Sequence, residues 1–195
     1  MAALIAPETG QGTNMRSFQS PEDVANFMET DQAGVIALYL DDGLDAEKLR
    51  AIHEAKAHFD PLVGTAWHLL MPRKNGDLTP DFAPDPDQYN SALSREMADE
   101  LGVHAERMPV LVFPDPDQKH SALVIELGAL SREELIAEIR AIAHVVTRPQ
   151  EPHQDILSFR RQVVSEIKAR EQGKKLASVV PVVAQGLAGF AKIFF

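Results

Sequence analysis

The stretch HAERMPVLVF, residues 104–113, places a proline directly before four strand-forming residues. Proline cannot donate a hydrogen bond to a β-ladder, so it occurs at the first position of a strand, on an edge strand or in a turn. Pro109 therefore marks a strand start, and the apolar run 110–113 predicts a buried strand. A turn-rich segment, PDPDQKH, separates this run from SALVIEL at 121–127. The two runs together predict an antiparallel hairpin.

Upstream of this hairpin, helix-like and strand-like segments alternate. Ser20, Pro21 and Asp23 predict a capped helix start in SPEDVANFMET, and GVIALYL at 34–40 predicts a buried strand. The helical spacing of the next segment, AEKLRAIHEAKAHF, leads to a second strand, TAWHLLM, at 65–71. Because a helix joins these two strands, we expect them to be parallel, with a right-handed crossover.

Two further helices complete the predicted body. SALSREMADELGV precedes the segment containing Pro109, and Ser131 with Glu134 forms a capping box at the start of a helix that ends near residue 147. The loop-like residues 72–90 separate the two halves. Residues 17–147 therefore predict an α/β domain with a mixed sheet and helices on both faces.

The composition excludes several classes of chemistry. The chain has no cysteine, which rules out disulfides, thiolate catalysis and cysteine-ligated metal sites. It contains no glycine-rich phosphate loop, nucleophile elbow or dinucleotide fingerprint. Among the seven histidines, His53 and His58 are five residues apart, a poor spacing for one helix face. We therefore expect neither a metal nor another cofactor.

The charge is distributed unevenly along the chain. The formal net charge is −10. The first 147 residues carry 11 basic and 25 acidic side chains, whereas residues 148–195 carry 8 and 4. An acidic body repels phosphate backbones, so we expect no nucleic acid as a partner. The basic tail suits an acidic protein surface or an anionic membrane surface.

The element order, together with the segment ELGVHAERMPVLVF, resembles the thioredoxin-like fold over residues 17–147. The resemblance implies that the Met108–Pro109 bond is cis and that the Met108 backbone is free to pair with an extended segment of a partner. Redox-active members carry Cys-x-x-Cys after the first shared strand, where this chain has LDDGLD at 40–45.

Because that thiol pair is absent, the resemblance implies a redox-inactive member that acts as a binding module, scaffold or chaperone-type protein rather than as an oxidoreductase. The partner-binding residues that it implies in the body are Asp41, Asp42, Gly43, Met108 and Pro109.

The acidic residues after the first shared strand have two interpretations. Asp41, Asp42 and Asp45 serve either as a recognition or acid–base cluster, or as caps of the following helix. Capping is the simpler explanation, because no nucleophile is placed beside them by sequence spacing. An enzyme built on Asp41, Asp42 or His104 is thus the weakest functional hypothesis, and we expect a non-catalytic protein.

The tail, residues 148–195, is predicted to be an amphipathic helical extension. Apolar residues there recur at steps of four and three, the spacing of a helix-packing seam: Leu176, Val180, Val183, Leu187, Phe190 and Phe194. This seam could dock on protein (the body of its own chain, a second copy or another partner's groove), lie on a membrane or span one. We expect the tail to mediate self-association or partner docking. The alternative is a peripheral membrane protein anchored by this helix.

The first 16 residues are predicted to form a flexible N-terminus. They are polar after Ala6 and contain two glycines. The apolar run 2–6 is too short for a signal-peptide core, and no basic residue precedes it. We therefore predict a cytoplasmic protein, with membrane association as the alternative that the tail suggests.

Overall fold

The computed structural model describes residues 15–30, 34–63, 66–74, 86–117, 120–147, 155–182 and 190–194. The strands in these ranges are β1 (Met15–Phe18), β2 (Val35–Leu40), β3 (Trp67–Pro72), β4 (Val110–Pro114), β5 (Ser121–Glu126) and β6 (Ala177–Pro181). The helices are α1 (Pro21–Thr30), α2 (Ala46–Val63), α3 (Ser91–Glu100), α4 (Arg132–Val146), α5 (Ile156–Gly173) and α6 (Phe190–Phe194).

All six described strands form one mixed sheet in the order β1-β3-β2-β4-β5-β6. β2 and β3 are parallel, as expected of strands joined by a helix. β4 and β5 form the predicted antiparallel hairpin. The prediction of an α/β fold with a mixed sheet is confirmed.

The sheet separates two hydrophobic cores, because successive side chains of a strand point to opposite faces. From β2, Ala37 and Tyr39 enter the core formed with α2, α4 and α5. Leu38 and Leu40 enter the core formed with α1, α3 and α6. Helices therefore cover both faces, which explains why β2 is buried along its whole length.

Two predicted helix starts are capped as the sequence indicated. The Ser20 amide donates to the Asp23 carboxylate at 2.9 Å, and the Asp23 amide donates back to the Ser20 hydroxyl at 3.3 Å. Ser131 and Glu134 form the corresponding reciprocal pair at the start of α4. Such a box satisfies amides that have no partner within the helix.

The sheet begins earlier than predicted. Met15 and Arg16 lie in β1, which pairs in parallel with β3, although residues 1–16 were predicted to be flexible. Residues 1–14 of that segment lie outside the described residues. The four residues of β1 are too few to show a periodic pattern, so only pairing with β3 defines the strand.

The predicted helical seam of the tail is wrong at its beginning. Residues 177–181 form β6, which pairs antiparallel with β5, Val179 opposite Leu123. The β-branched Val179 and Val180 favour a strand. The ladder also gives hydrogen-bond partners to the backbone of β5, which β4 pairs on one side only. These long-range contacts override the local spacing of four and three.

The remaining seam residues are covered by the chain itself or lie outside the described residues. Leu176 and Val180 are half-buried against the two cores, and Phe190 and Phe194 are buried with Ile193 on the α1 side. Val183 and Leu187 lie outside the described residues. In the described part of the tail, α5 and α6 are helical as predicted, β6 is not, and all three pack on the sheet of the body.

A cluster of four charged side chains fastens α5 to α4. Arg170 lies 2.7 Å from Glu138 and 2.8 Å from Glu171, and Lys174 lies 2.5 Å from Glu138. The Glu171 side chain is fully buried. Burial raises the pKa of Glu171 to about 7, and the neighbouring carboxylate of Glu138 acts in the same direction. The pKa of Glu138 is lowered, because its hydrogen bond with Lys174 and the charge of Arg170 outweigh burial.

Candidate functional site

The two segments singled out by the sequence lie at the same edge of the sheet. Leu40, the last residue of β2, is the register partner of Val110, the first residue of β4. The loop 41–45, which follows β2, and the segment 107–109, which precedes β4, therefore emerge side by side. Val110 also pairs with Glu126 of β5, so residues 126–128 lie at the same edge of the sheet as these two segments. We call these three segments the upper edge.

The Asp41 carboxylate is buried and accepts a hydrogen bond on each oxygen. The Tyr39 hydroxyl donates to Oδ2 at 2.7 Å, and the Gly43 amide donates to Oδ1 at 2.8 Å. Burial raises the pKa of Asp41, although these two hydrogen bonds act in the opposite direction. A carboxylate that accepts on both oxygens holds the loop in one conformation.

The Asp41 amide is held equally firmly by two hydroxyls. It donates to the Tyr89 hydroxyl and to the Ser94 Oγ, both at 2.7 Å, and the Tyr89 hydroxyl donates to Ser94 at 3.0 Å. Burial raises the pKa of Tyr89 well above its usual range. Sequence reasoning missed Tyr89 and Ser94, since they lie 48 and 53 residues from Asp41 and carry no motif.

The other two carboxylates of the loop also bond to nearby backbone. Asp42 accepts from the Leu44 amide at 3.0 Å. Asp45 accepts from the amides of Glu47 at 3.1 Å and Lys48 at 3.3 Å, in the first turn of α2. These are the bonds of turn and cap residues.

The loop brings none of its carboxylates to His104, the histidine that the sequence singled out. His104 is exposed, and its side chain makes no hydrogen bond or ion pair with the described residues. Across the ranges that the structure describes, no group of three or more His, Asp or Glu is arranged to hold a metal ion.

Gly43 occupies a position that requires glycine. Its φ is +74°, and a Cβ built on it would lie 2.9 Å from the Cβ of Ser91, the first residue of α3. Glycine adopts this left-handed conformation without the steric penalty that a side chain brings. The tight turn therefore depends on both the backbone conformation and the close approach of α3.

The Met108–Pro109 bond is cis, as predicted. The Met108 amide, however, donates to the Ala105 carbonyl at 3.0 Å, and the Met108 side chain is buried. A Cβ on Gly128 would lie 2.5 Å from the Met108 carbonyl oxygen. The prediction of a Met108 backbone free to pair is therefore wrong for its N–H, because a local 3₁₀ turn uses that donor.

Two cations lie at or next to the upper edge, and both have partners within the fold. Lys48 Nζ donates to the Gly128 carbonyl at 2.5 Å and lies 3.8 Å from Asp45, linking the start of α2 to the segment beside Met108. Arg107 forms an ion pair with Glu126. The loop 41–45 itself contains three carboxylates and no cation.

The tip of the loop carries an exposed leucine. Leu44 is 82% exposed. Among the residues whose exposure is described, the only other large hydrophobic side chain classed as exposed is Leu157, at 50%. The amides of Gly43 and Leu44 donate hydrogen bonds to the carboxylates of Asp41 and Asp42, and these bonds fix the backbone that carries Leu44. The upper edge therefore presents one apolar side chain on a fixed, acidic turn.

No protein-family model matches the sequence, and comparisons with curated proteins and with solved structures return no match either. In the described part of the chain, none of the helices has the length and apolar content needed to cross a bilayer.

Proposed function

We propose that this chain is a non-catalytic binding protein of thioredoxin-like fold, of the scaffold or chaperone type, and that its upper edge is the partner surface. The likeness in fold is supported by the strand order, the parallel β2–β3 pair, the antiparallel hairpin and the cis bond before β4. A binding role rather than an oxidoreductase role is supported by the absence of any cysteine.

The observation that carries the proposal is the exposure of Leu44 on a loop whose backbone amides donate hydrogen bonds to Asp41 and Asp42. Burying a leucine side chain is worth about 1.5–3 kcal/mol. A loop already fixed by hydrogen bonds loses little conformational entropy when it binds. Burying Leu44 against a partner would therefore contribute favourably to binding at a small entropic cost.

The charge of the loop defines the partner's chemistry. Asp42 and Asp45 accept hydrogen bonds from the backbone. Lys48 donates to Gly128 and lies 3.8 Å from Asp45, and Arg107 pairs with Glu126, so one nearby cation faces the three carboxylates of the loop. A partner segment that places an apolar residue against Leu44 and Lys or Arg beside it would complement this edge. We therefore propose a basic, partly apolar peptide segment as the ligand.

The tail supports this choice indirectly. Phe190, Ile193 and Phe194 are buried against α1, so these side chains are not available for self-association or for a membrane. The alternative of a peripheral membrane protein anchored by residues 152–195 stays a prediction, and the burial of these three side chains makes it the less favoured one. The proposed partner surface is therefore at the upper edge rather than in the tail.

A random-peptide display selection on the full-length protein tests this function. We expect enrichment of peptides with an apolar residue flanked by Lys or Arg. Leu44→Ser should weaken their binding about tenfold, equivalent to roughly 1.4 kcal/mol. Leu157→Ser, the matched loss of the other exposed leucine, should leave it unchanged.

The measurement is the dissociation constant of the enriched peptides, by calorimetry at low and high salt. Affinity should fall as salt rises, since opposite charges at a surface are screened. Failure to enrich any such peptide, or equal binding by wild type and Leu44→Ser, would overturn the proposal.

A further inference from the structure

A cavity of about 220 Å³ lies at the end of the sheet opposite the upper edge. Its walls come from the start of β2 (Val35, Ile36), the end of β4 (Pro114) and the helices α1, α5 and α6. Since β2 and β4 are antiparallel, the start of one and the end of the other meet here. We call this the lower cavity.

The walls of the lower cavity are mainly apolar. The apolar helix side chains that line it are Met28, Leu157, Val164, Ile193 and Phe194. Ile36, Val164 and Ile193 are buried, whereas Leu157 is half exposed and stands where the cavity meets solvent. The interior is therefore mainly apolar, and the partly exposed Leu157 adds to its apolar lining.

The charged groups at the cavity have an excess of positive charge. Lys192 and Arg160 line it together with one carboxylate, that of Asp115. Arg160 is positioned by its Nε, which donates to the Gly34 carbonyl at 2.8 Å. Lys192 is exposed, and within the described residues no carboxylate lies within ion-pair distance of its ammonium group. Among the described residues, an anion in the cavity would therefore meet a cation that no carboxylate already pairs with.

The volume limits the size of a ligand. An engineered apolar cavity of about 150 Å³ holds benzene, and pockets for drug-sized ligands start at about 300 Å³. The lower cavity lies between these two values. It fits a ring or a short branched chain with a small polar group.

We propose that the lower cavity binds a small amphipathic monocarboxylate, with its apolar part among Ile36, Val164 and Ile193 and its carboxylate beside Lys192. This inference is independent of the peptide-binding function proposed above. The two sites are at opposite ends of the sheet, and either can fail without the other.

Titration of the full-length protein with 3-phenylpropionate, followed by amide NMR shifts and calorimetry, tests the inference. The neutral 3-phenylpropanol and the cationic 3-phenylpropylamine are matched ligands of nearly equal size. We expect saturable shifts around residues 36, 157 and 193, with the carboxylate binding more tightly than the alcohol and the alcohol more tightly than the amine.

Variants separate the charge from the cavity. Lys192→Gln should weaken binding of the carboxylate about two- to fivefold, the effect of one partly exposed ion pair, and leave the alcohol unchanged. Leu157→Trp, at a half-exposed position that tolerates a larger side chain, should obstruct entry of both. Lys175→Gln, at the other end of the sheet, and Leu44→Ser are controls that should bind like wild type.

Three results would overturn the inference. The first is the absence of saturable shifts around residues 36, 157 and 193 with any of the three ligands. The second is an affinity order in which the amine equals or exceeds the carboxylate. The third is unchanged carboxylate binding in Lys192→Gln. Retained folding of each variant is checked by the dispersion of its amide spectrum.

Discussion

Asp41 and Glu171 are both buried carboxylates whose pKa is raised by burial, yet they are held by different kinds of partner. Asp41 accepts hydrogen bonds from a hydroxyl and an amide, both uncharged. Glu171 lies 2.8 Å from the Arg170 guanidinium in a cluster with Lys174 and a second carboxylate, Glu138. The hydrogen bonds at Asp41 depend on the orientation of their donors, whereas the ion pairs around Glu171 depend on the charges of the partners.

This difference matches what each cluster does in the fold. Hydrogen bonds from neutral donors have narrow angular limits, so the cluster around Asp41 fixes the conformation of a loop. Ion pairs tolerate a range of angles and respond to salt and pH, so the cluster around Glu171 joins two helices without specifying a single geometry. The loop that we propose as a binding site is thus the more rigidly defined of the two regions.

Asp41→Ala is expected to have the largest effect. It leaves the buried Tyr39 hydroxyl and the Gly43 amide without an acceptor, at about 1–3 kcal/mol for each stranded group. We expect the free energy of unfolding to fall by about 3 kcal/mol in urea titrations. Asp42→Ala, which removes one turn bond, should stay within about 0.5 kcal/mol of wild type. Similar losses in the two variants would contradict the role assigned to Asp41.

Gly43→Ala tests whether the hydrogen-bonded cluster needs the left-handed turn. A side chain at φ +74° is strained, and its Cβ would meet Ser91 at 2.9 Å. We expect a loss of about 2 kcal/mol, from backbone strain and overpacking together. The double variant Gly43→Ala with Ser91→Gly should recover only the steric part of this loss. Full recovery would show that the conformation of residue 43 carries no cost.

Glu138→Ala tests the charged cluster. It leaves Arg170 and Lys174 to share Glu171 alone, and we expect a loss of about 1–2 kcal/mol, less than for a fully buried pair because both cations are partly exposed. The loss of stability should shrink in about 1 M salt, because the screening length is about 3 Å at that ionic strength. The loss in Asp41→Ala should not change with salt. Glu133→Ala, on the exposed side of α4, is the control and should change stability by less than about 0.5 kcal/mol.

Glu171→Gln tests the pH response and has the smallest expected effect. Because the pKa of Glu171 is about 7 in the folded protein against 4.5 ordinarily, the folded state holds this proton more tightly. Its contribution to stability is therefore present below pH 4.5 and is lost as pH rises towards 7 and above. Relative to wild type, the glutamine variant should gain stability between about pH 5 and about pH 8.

The gain in Glu171→Gln should be below about 1 kcal/mol, because the pKa of Glu138 is shifted in the opposite direction. Urea unfolding of both proteins at the two pH values measures it. A constant difference between wild type and variant would show that Glu171 does not titrate in this range.

The sequence predicted the parts of the fold that local patterns encode. The runs of β2, β3, β4 and β5 and the capping boxes at Ser20 and Ser131 each lie within a short segment, and all of them are present. β1 and β6 are short strands that exist through pairing with distant partners. The apolar spacing of residues 176–194 fitted a helix better than a strand, so the local pattern predicted a helix where β6 forms.

The candidate site was predictable only in part. The sequence identified the loop 41–45, its capping carboxylates and the proline before β4. It could not identify Tyr89 and Ser94, because their role depends on how α3 is seated against the end of β2. The exposure of Leu44 also required the structure, since a leucine between aspartates has no distinguishing pattern in one sequence.

The pairing of β5 with β6 has a consequence for synthesis on the ribosome. About 50 residues separate the two strands, and translation adds about 5–20 residues per second. The nascent chain therefore exposes the outer edge of β5 for about 3–10 seconds before β6 is made. Unpaired edges of this kind invite association between polypeptides. During this interval, the unpaired edge of β5 on one nascent chain can pair with a strand of another copy.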